Sequence, residues 1–94
     1  MAMYYLFGKY SQPALKEISA DRTKKAAGAI EKLGGRVKSM HALLGEHDLI
    51  FVVELPGSKE AMKASLALHK LTGIAFTTSE AFSIEEFDKL AQGV

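Results

Sequence analysis

Residues 43–57 read LLGEHDLIFVVELPG, and the fold turns on how this stretch is divided. Gly45-Glu46 has the composition of a tight hairpin turn, because two-residue β-loops need positive φ and glycine reaches it without a Cβ clash. That places one strand before it, over 36–44 (RVKSMHALL), and another after it, over 48–55 (DLIFVVEL). Pro56 lacks the N–H that a continuing strand would need, so the second strand stops there. The imidazole of His47 and the carboxylate of Asp48 stand at the mouth of this apolar hairpin.

Outward from the hairpin, the other elements follow from local signals. Residues 4–10 (YYLFGKY) are aromatic-rich and read as a first strand. Ser11, with Pro13 close behind, opens a helical region that runs to about Leu33. A break is expected around residues 18–21, with Asp21 capping the longer second part. Ala26, Ala27, Ile30 and Leu33 fall at helical spacing and predict a narrow buried stripe. Gly28 predicts a close approach of this helix to the sheet, and Gly34-Gly35 ends it. Beyond Pro56-Gly57, Ser58 is placed to cap a helix over KEAMKASLALHKL, closed by Thr72-Gly73. Residues 74–82 (IAFTTSEAF) read as a fourth strand. Ser83 then starts a short helix, IEEFDKLA, with Glu86 in the capping-box position.

The order β-α-β-β-α-β plus a tail helix predicts an α+β fold of the ferredoxin-like kind, a four-stranded antiparallel sheet in one domain over residues 1–94. Right-handed crossovers put both main helices on one face of the sheet and leave the other bare. A chain of this size buries only about 60–65% of its unfolded surface, so covering that face with a second copy would add burial that it needs.

Composition narrows the function classes. Twelve basic and eleven acidic residues give a formal charge of +1, too balanced for a broad electropositive nucleic-acid surface. The absence of cysteine removes disulfides, thiolate metal sites and cysteine nucleophiles. No apolar run approaches the roughly 18 residues of a membrane span. The start, MAMYYLFGKY, carries no basic leader, so a cytoplasmic protein without membrane or nucleic-acid partners is expected.

Pairing across the predicted turn sorts the hairpin into two faces. Leu44 opposite His47, Leu43 opposite Asp48 and His41 opposite Ile50 put Val37, Ser39, His41, Leu43, Asp48, Ile50, Val52 and Glu54 on one side. Met40, Ala42, Leu44, Leu49, Phe51 and Val53 fall on the other. The second set is apolar and is assigned to the helices. On the first strand, Gly8 would let a helix come close, so Tyr5, Phe7 and Lys9 are assigned to the bare face. An apolar sheet left open invites a partner, and two such sheets facing each other can hold a small ligand between them.

The segments YLFGKYS, KLGGRVKS, GEHDLIFVVELP and TSEAF together resemble the GYD-domain family over nearly the whole chain. The family's Gly-x-Tyr-Asp turn stands here as Gly45-Glu46-His47-Asp48, with histidine in place of tyrosine. The resemblance implies kinship with the dimeric α+β-barrel superfamily, in which paired ferredoxin-like sheets enclose a cavity. Its members include cofactor-free monooxygenases, muconolactone isomerases, haem-binding dismutases and the amino-acid-sensing domains of leucine-responsive regulators. A similar turn occurs in those sensing domains and is not an enzymatic signature.

Tyr5, Phe7, Lys9, Ser39, His41 and Asp48 are therefore the candidate ligand-binding residues. Asp48 has a competing structural role, since a turn carboxylate readily accepts backbone N–H groups. His41 and Asp48 are also the catalytic candidates, a diagonal pair in which the carboxylate would orient the imidazole as a base. His47 is expected at an exposed turn and His69 to pack within its helix. Three histidines at unrelated spacings do not form a zinc site, and no cofactor is expected, although His41 as a haem ligand stays open. The tail helix, with Ile84, Phe87 and Leu90 on one stripe, is expected to dock on the body or on a neighbouring copy. Three readings remain: a homodimer binding a small molecule between its sheets, a cofactor-independent oxygenase or isomerase, and an assembly module.

Overall fold

The computed structural model describes residues 1–94. Its elements are β1 (Ala2–Lys9), α1 (Gln12–Lys16), α2 (Ala20–Lys32), β2 (Arg36–Ala42), β3 (Leu49–Leu55), α3 (Ser58–Thr72), β4 (Ala75–Ala81) and α4 (Ile84–Gln92). The four strands form one antiparallel sheet in the order β2-β3-β1-β4. This is the expected ferredoxin-like α+β architecture.

Central strand β1 has a strict period of two. Tyr4, Leu6 and Gly8 are buried against the helices, while Tyr5 and Phe7 are half-buried and Lys9 is exposed on the other side. Leu6 meets Phe51 on β3 and Thr78 on β4 across the two ladders. Val53 and Leu55 of β3, Ala26 and Ile30 of α2, and Ala61, Ala64 and Leu68 of α3 complete the core. Phe76 of β4 packs on Phe51 with ring centroids 5.4 Å apart. Gly8 is needed here, because a Cβ would lie 3.0 Å from the Phe76 ring and 3.1 Å from Ile74 Cγ2.

The helical region divides as expected, but the caps differ. Ser19, not Asp21, caps α2, its hydroxyl accepting the Arg22 N–H at 3.0 Å. Asp21 sits in the first turn, where it complements the helix dipole and pairs with Lys25 at 3.2 Å. Ser58 is the first residue of α3 and Gly57 is the N-cap, with no side-chain cap bond. Gly73 closes α3 in the left-handed conformation, at φ 74°. Ser83 caps α4 as predicted, accepting the Glu86 N–H at 3.1 Å. Gly28 does not mediate close packing. Nothing lies within 4 Å of where its Cβ would be, and it lines an open groove between α2 and α3.

The hairpin is looser than a two-residue turn. β2 ends at Ala42 and β3 begins at Leu49, with the Leu43 N–H to Asp48 carbonyl bond, 2.8 Å, closing the connection. Gly45 takes positive φ, 146°, within that loop. The pairing of His41 with Ile50 holds. Leu44, expected under the helices, is fully exposed at the loop tip, and Ala42 is exposed as well. A β-bulge between Val37 and Ser39 skips Lys38, so Val37 pairs with Val53 and packs on the core instead of lying on the open face. An extra residue in one strand reverses the alternation beyond it, and hydrophobic period alone does not reveal where it falls.

Two glycines test this packing in opposite directions. A Cβ on Gly35 would lie 2.5 Å from Leu55 Cδ2 and 2.7 Å from the Glu54 carbonyl oxygen. Gly35→Ala is expected to cost about 1–3 kcal/mol of stability through overpacking. Gly28→Ala, in open space on α2, is expected to add about 0.5–1 kcal/mol by its better helix propensity. Urea unfolding of the two variants reads both signs.

Candidate functional site

The candidate residues gather on the sheet face opposite the helices. The ladder register assigns Tyr5, Phe7 and Lys9 of β1 to this face, together with Ile50, Val52 and Glu54 of β3 and Ser39 and His41 of β2. Thr77 and Ser79 of β4 join them opposite Phe7 and Tyr5. Tyr5, Phe7, Ile50 and Val52 are half-buried by their own neighbours, but no element of the chain crosses above them. The centre of the face is thus aromatic and aliphatic, and its charged groups stand at the ends.

At one end, the 43–48 loop is strapped to the exit of β1. The Asp48 carboxylate accepts the Tyr10 backbone N–H at 2.8 Å, and the Asp48 N–H donates to the Gly8 carbonyl at 2.8 Å. Lys9 Nζ donates to the Glu46 carbonyl at 3.0 Å. His47 lies against Phe7, with ring centroids 4.9 Å apart, and Phe7 in turn lies 6.4 Å from Tyr5. Asp48 therefore serves the backbone, though of a different strand from the one expected. Its carboxylate anchors β1 where that strand turns away from the sheet, instead of anchoring its own turn.

This geometry bears on each candidate. His41 is exposed on edge strand β2, and no hydrogen bond joins it to Asp48, whose carboxylate is engaged by Tyr10. His47, expected to be solvated, is instead half-buried as the outer member of an aromatic row, His47–Phe7–Tyr5. Alternation cannot locate such a residue, because it lies in a loop where the period of two has ended. His69 is tied into the helix side, its Nδ1 2.9 Å from the Ile74 carbonyl.

At the other end, Arg36 of β2 faces Glu54 of β3, with guanidinium nitrogens 2.5 and 3.0 Å from Glu54 Oε1. The hydrogen bonds from Arg36 hold the Glu54 carboxyl below the usual carboxylate range, helped by the positive charges of Arg36 and Lys38. This pair was missed in the sequence because the bulge changes which residue of β2 faces Glu54.

The helix side has its own polar lining. A pocket of about 220 Å³ opens between α2 and β2, with Phe51, Leu49 and Ala26 in its wall. The Arg22 guanidinium at this pocket donates to the Ala14 carbonyl at 2.6 Å and lies 5.8 Å from the Tyr10 ring centre. The first contact holds α1 against α2 and the second ties α2 to the exit of β1, so Arg22 is occupied in joining these elements.

Comparison with known proteins agrees with the architecture. The GYD domain sequence model matches residues 4–91. Among solved structures, the leucine response regulatory protein of Mycobacterium tuberculosis is similar in fold, with a TM-score of 0.62 and 11% identity over 87% of this chain. A glutamate-to-alanine mutant protein gives a TM-score of 0.61, also at 11% identity and 87% coverage. The chain spans about half the length of these two, 51% and 50% respectively. No curated protein matches it in sequence. At this identity the likeness establishes the fold.

Two outcomes are expected from the site geometry. Asp48→Ala should lower stability by about 1–2 kcal/mol, as loss of a hydrogen bond to a charged acceptor does, and should speed amide exchange at Tyr10. His41→Ala, at an exposed edge, should stay within about 0.5 kcal/mol of the parent. Glu54 should titrate below the usual glutamate range by NMR and move up in Arg36→Ala. Because its folded pKa is depressed, any stability the pair contributes is present at neutral pH. It is lost as pH falls below the ordinary carboxylate range through the lowered Glu54 value.

Proposed function

Since this chain belongs to the GYD-domain family, we propose that it works as a cytoplasmic homodimer that holds a small, largely apolar molecule between two apposed sheets. The observation that carries this reading is the uncovered face itself, with Tyr5, Phe7, Ile50 and Val52 at its centre and ionisable groups at both ends. Four strands about 4.8 Å apart and seven or eight residues long, at about 3.4 Å each, span roughly 19 by 24–27 Å. Two such faces cover on the order of 1,000 Å², the lower bound for a specific interface. A single sheet cannot enclose a ligand, so the second copy supplies the roof of the cavity.

In this arrangement the His47–Phe7–Tyr5 row gives one aromatic wall. Ser39, Lys9 and the Tyr5 hydroxyl offer polar contacts at its margins, and His41 stands at the β2 edge. Asp48 contributes indirectly by fixing the loop that carries His47. Binding without chemistry is favoured over an oxygenase or isomerase because the proposed base and its orienting carboxylate are not hydrogen-bonded, and Asp48 already serves Tyr10. The name of the Mycobacterium tuberculosis relative makes leucine a reasonable first ligand to try, alongside less polar molecules of similar size.

Native mass spectrometry of freshly purified protein tests the reading. A dimer or higher multiple is expected, with Val52→Lys lowering the number of subunits while far-UV circular dichroism stays unchanged. Phe7→Ala should keep the dimer and weaken retention of any bound small molecule. A parent protein that is monomeric at micromolar concentration would overturn the proposal.

A further inference from the structure

Helix α4 contributes nothing to the core. It has no buried residue, and Phe82, Ile84, Phe87 and Leu90 are 58, 71, 58 and 61% exposed. Ile84, Phe87 and Leu90 recur every three residues and make one apolar stripe, while Glu85, Glu86 and Asp88 make its remaining surface acidic, with Lys89 the only base. The sequence led to the expectation that this stripe would dock, and it does not dock on its own body.

The body carries an uncovered groove of matching character. Between α3 and β4, on the helix side, Ala61, Met62, Leu66 and Phe76 line a depression of about 380 Å³. Met62 and Leu66 are 69 and 59% exposed. Along the outer flank of the same two side chains run Lys59 and Lys63. From Ser58 to Leu66 the α3 ridge is nine residues long, as α4 is, and each makes about 13 Å.

We propose that α4 of one copy lies in the α3–β4 groove of a second copy, with its apolar stripe on Met62, Leu66 and Phe76 and its acidic side against Lys59 and Lys63. The groove of the same chain is poorly placed for its own helix. Only Phe82 and Ser83 link β4 to α4, and the Ser83 cap fixes the direction of departure. The Glu86 turn of α4 shares a corner with Glu80, which also lines the β4 edge of the groove, and with Met3, Glu54 and Ala81. Those three residues belong to the open sheet face, whereas the groove is on the helix face. An aromatic side chain buries roughly 150–250 Å² when fully covered. The four exposed side chains of each copy, exchanged reciprocally and counted with the groove surface they cover, reach on the order of 1,200–1,600 Å². That is the size of a stable interface. The match is confined to the Lys59–Lys63 flank, since Glu80 lines the β4 side of the groove, and that flank favours an acidic amphipathic helix such as α4 of a second copy over a generic apolar partner.

The contact is independent of sheet-face pairing and can be tested apart from it. The chain has no cysteine, so single cysteines report proximity cleanly. Leu90→Cys and Leu66→Cys variants, differently tagged and mixed under mild oxidation, are expected to form a mixed disulfide at least tenfold faster than Leu90→Cys with Lys24→Cys, an exposed position on α2. Adding Phe87→Glu to the Leu90→Cys chain should remove that preference, and Glu86→Lys should weaken it, with partial rescue by Lys63→Glu in the partner. Adding Val52→Lys, which tests the sheet face, should leave the preference in place. Equal rates for the groove and control positions would overturn the inference. So would a Leu66→Cys, Leu90→Cys double variant that closes its disulfide within one chain, because α4 would then cover its own groove.

Discussion

The structure depends on β1 keeping its two sides apart. This strand lies between β3 and β4, and every second residue, Tyr4, Leu6 and Gly8, goes to the helices. Leu6 has no solvent exposure and sits where both ladders and both long helices converge. Gly8 extends the same side at a point where a methyl group would crowd Phe76 and Ile74. A slip of one residue would exchange Tyr5 and Phe7 for Leu6 in the core and expose the aliphatic side. The two ladders and the loop strap all hold against that slip, and the strap bonds at Gly8 and Tyr10 lie just where β1 leaves the sheet.

The polar residues at the mouth of the hairpin therefore belong to the register of β1 as much as to any ligand. Asp48 couples the start of β3 to the end of β1 twice, through its carboxylate and through its own N–H. Lys9 reaches the loop from the other direction. His47, set by that loop, becomes part of the open face by stacking on Phe7. Fold and candidate site share these residues, so changes made to probe binding at Asp48 will also report on the fold.

Much of this was legible in the residues, for reasons that can be named. The alternation in YYLFGKY separated Tyr5, Phe7 and Lys9 from Tyr4, Leu6 and Gly8, and glycines marked the ends of α2 and α3. The His41–Ile50 register followed from the hairpin. The failures of face and register share one cause: each concerns a place where the chain leaves its period. The Lys38 bulge moved Val37 to the core and brought Arg36 to Glu54, and the wide loop exposed Leu44 and turned His47 onto Phe7. For α4 the apolar spacing was plain, but spacing shows a sticky stripe without showing what it meets.

The bulge at Lys38 has a further consequence for how copies of this protein can meet. β2 and β4 are edge strands, and an edge offers unpaired backbone groups to any passing strand. On β2 the bulge breaks the even spacing of those groups and places Arg36, Lys38 and His41 along the rim. A new strand would meet irregular hydrogen-bonding partners and charged side chains at once. An open-ended sheet can grow only if both edges accept strands, so disfavouring one edge is enough to stop it. By spoiling its own rim, β2 works against strand addition along that edge and so against open-ended sheet polymers.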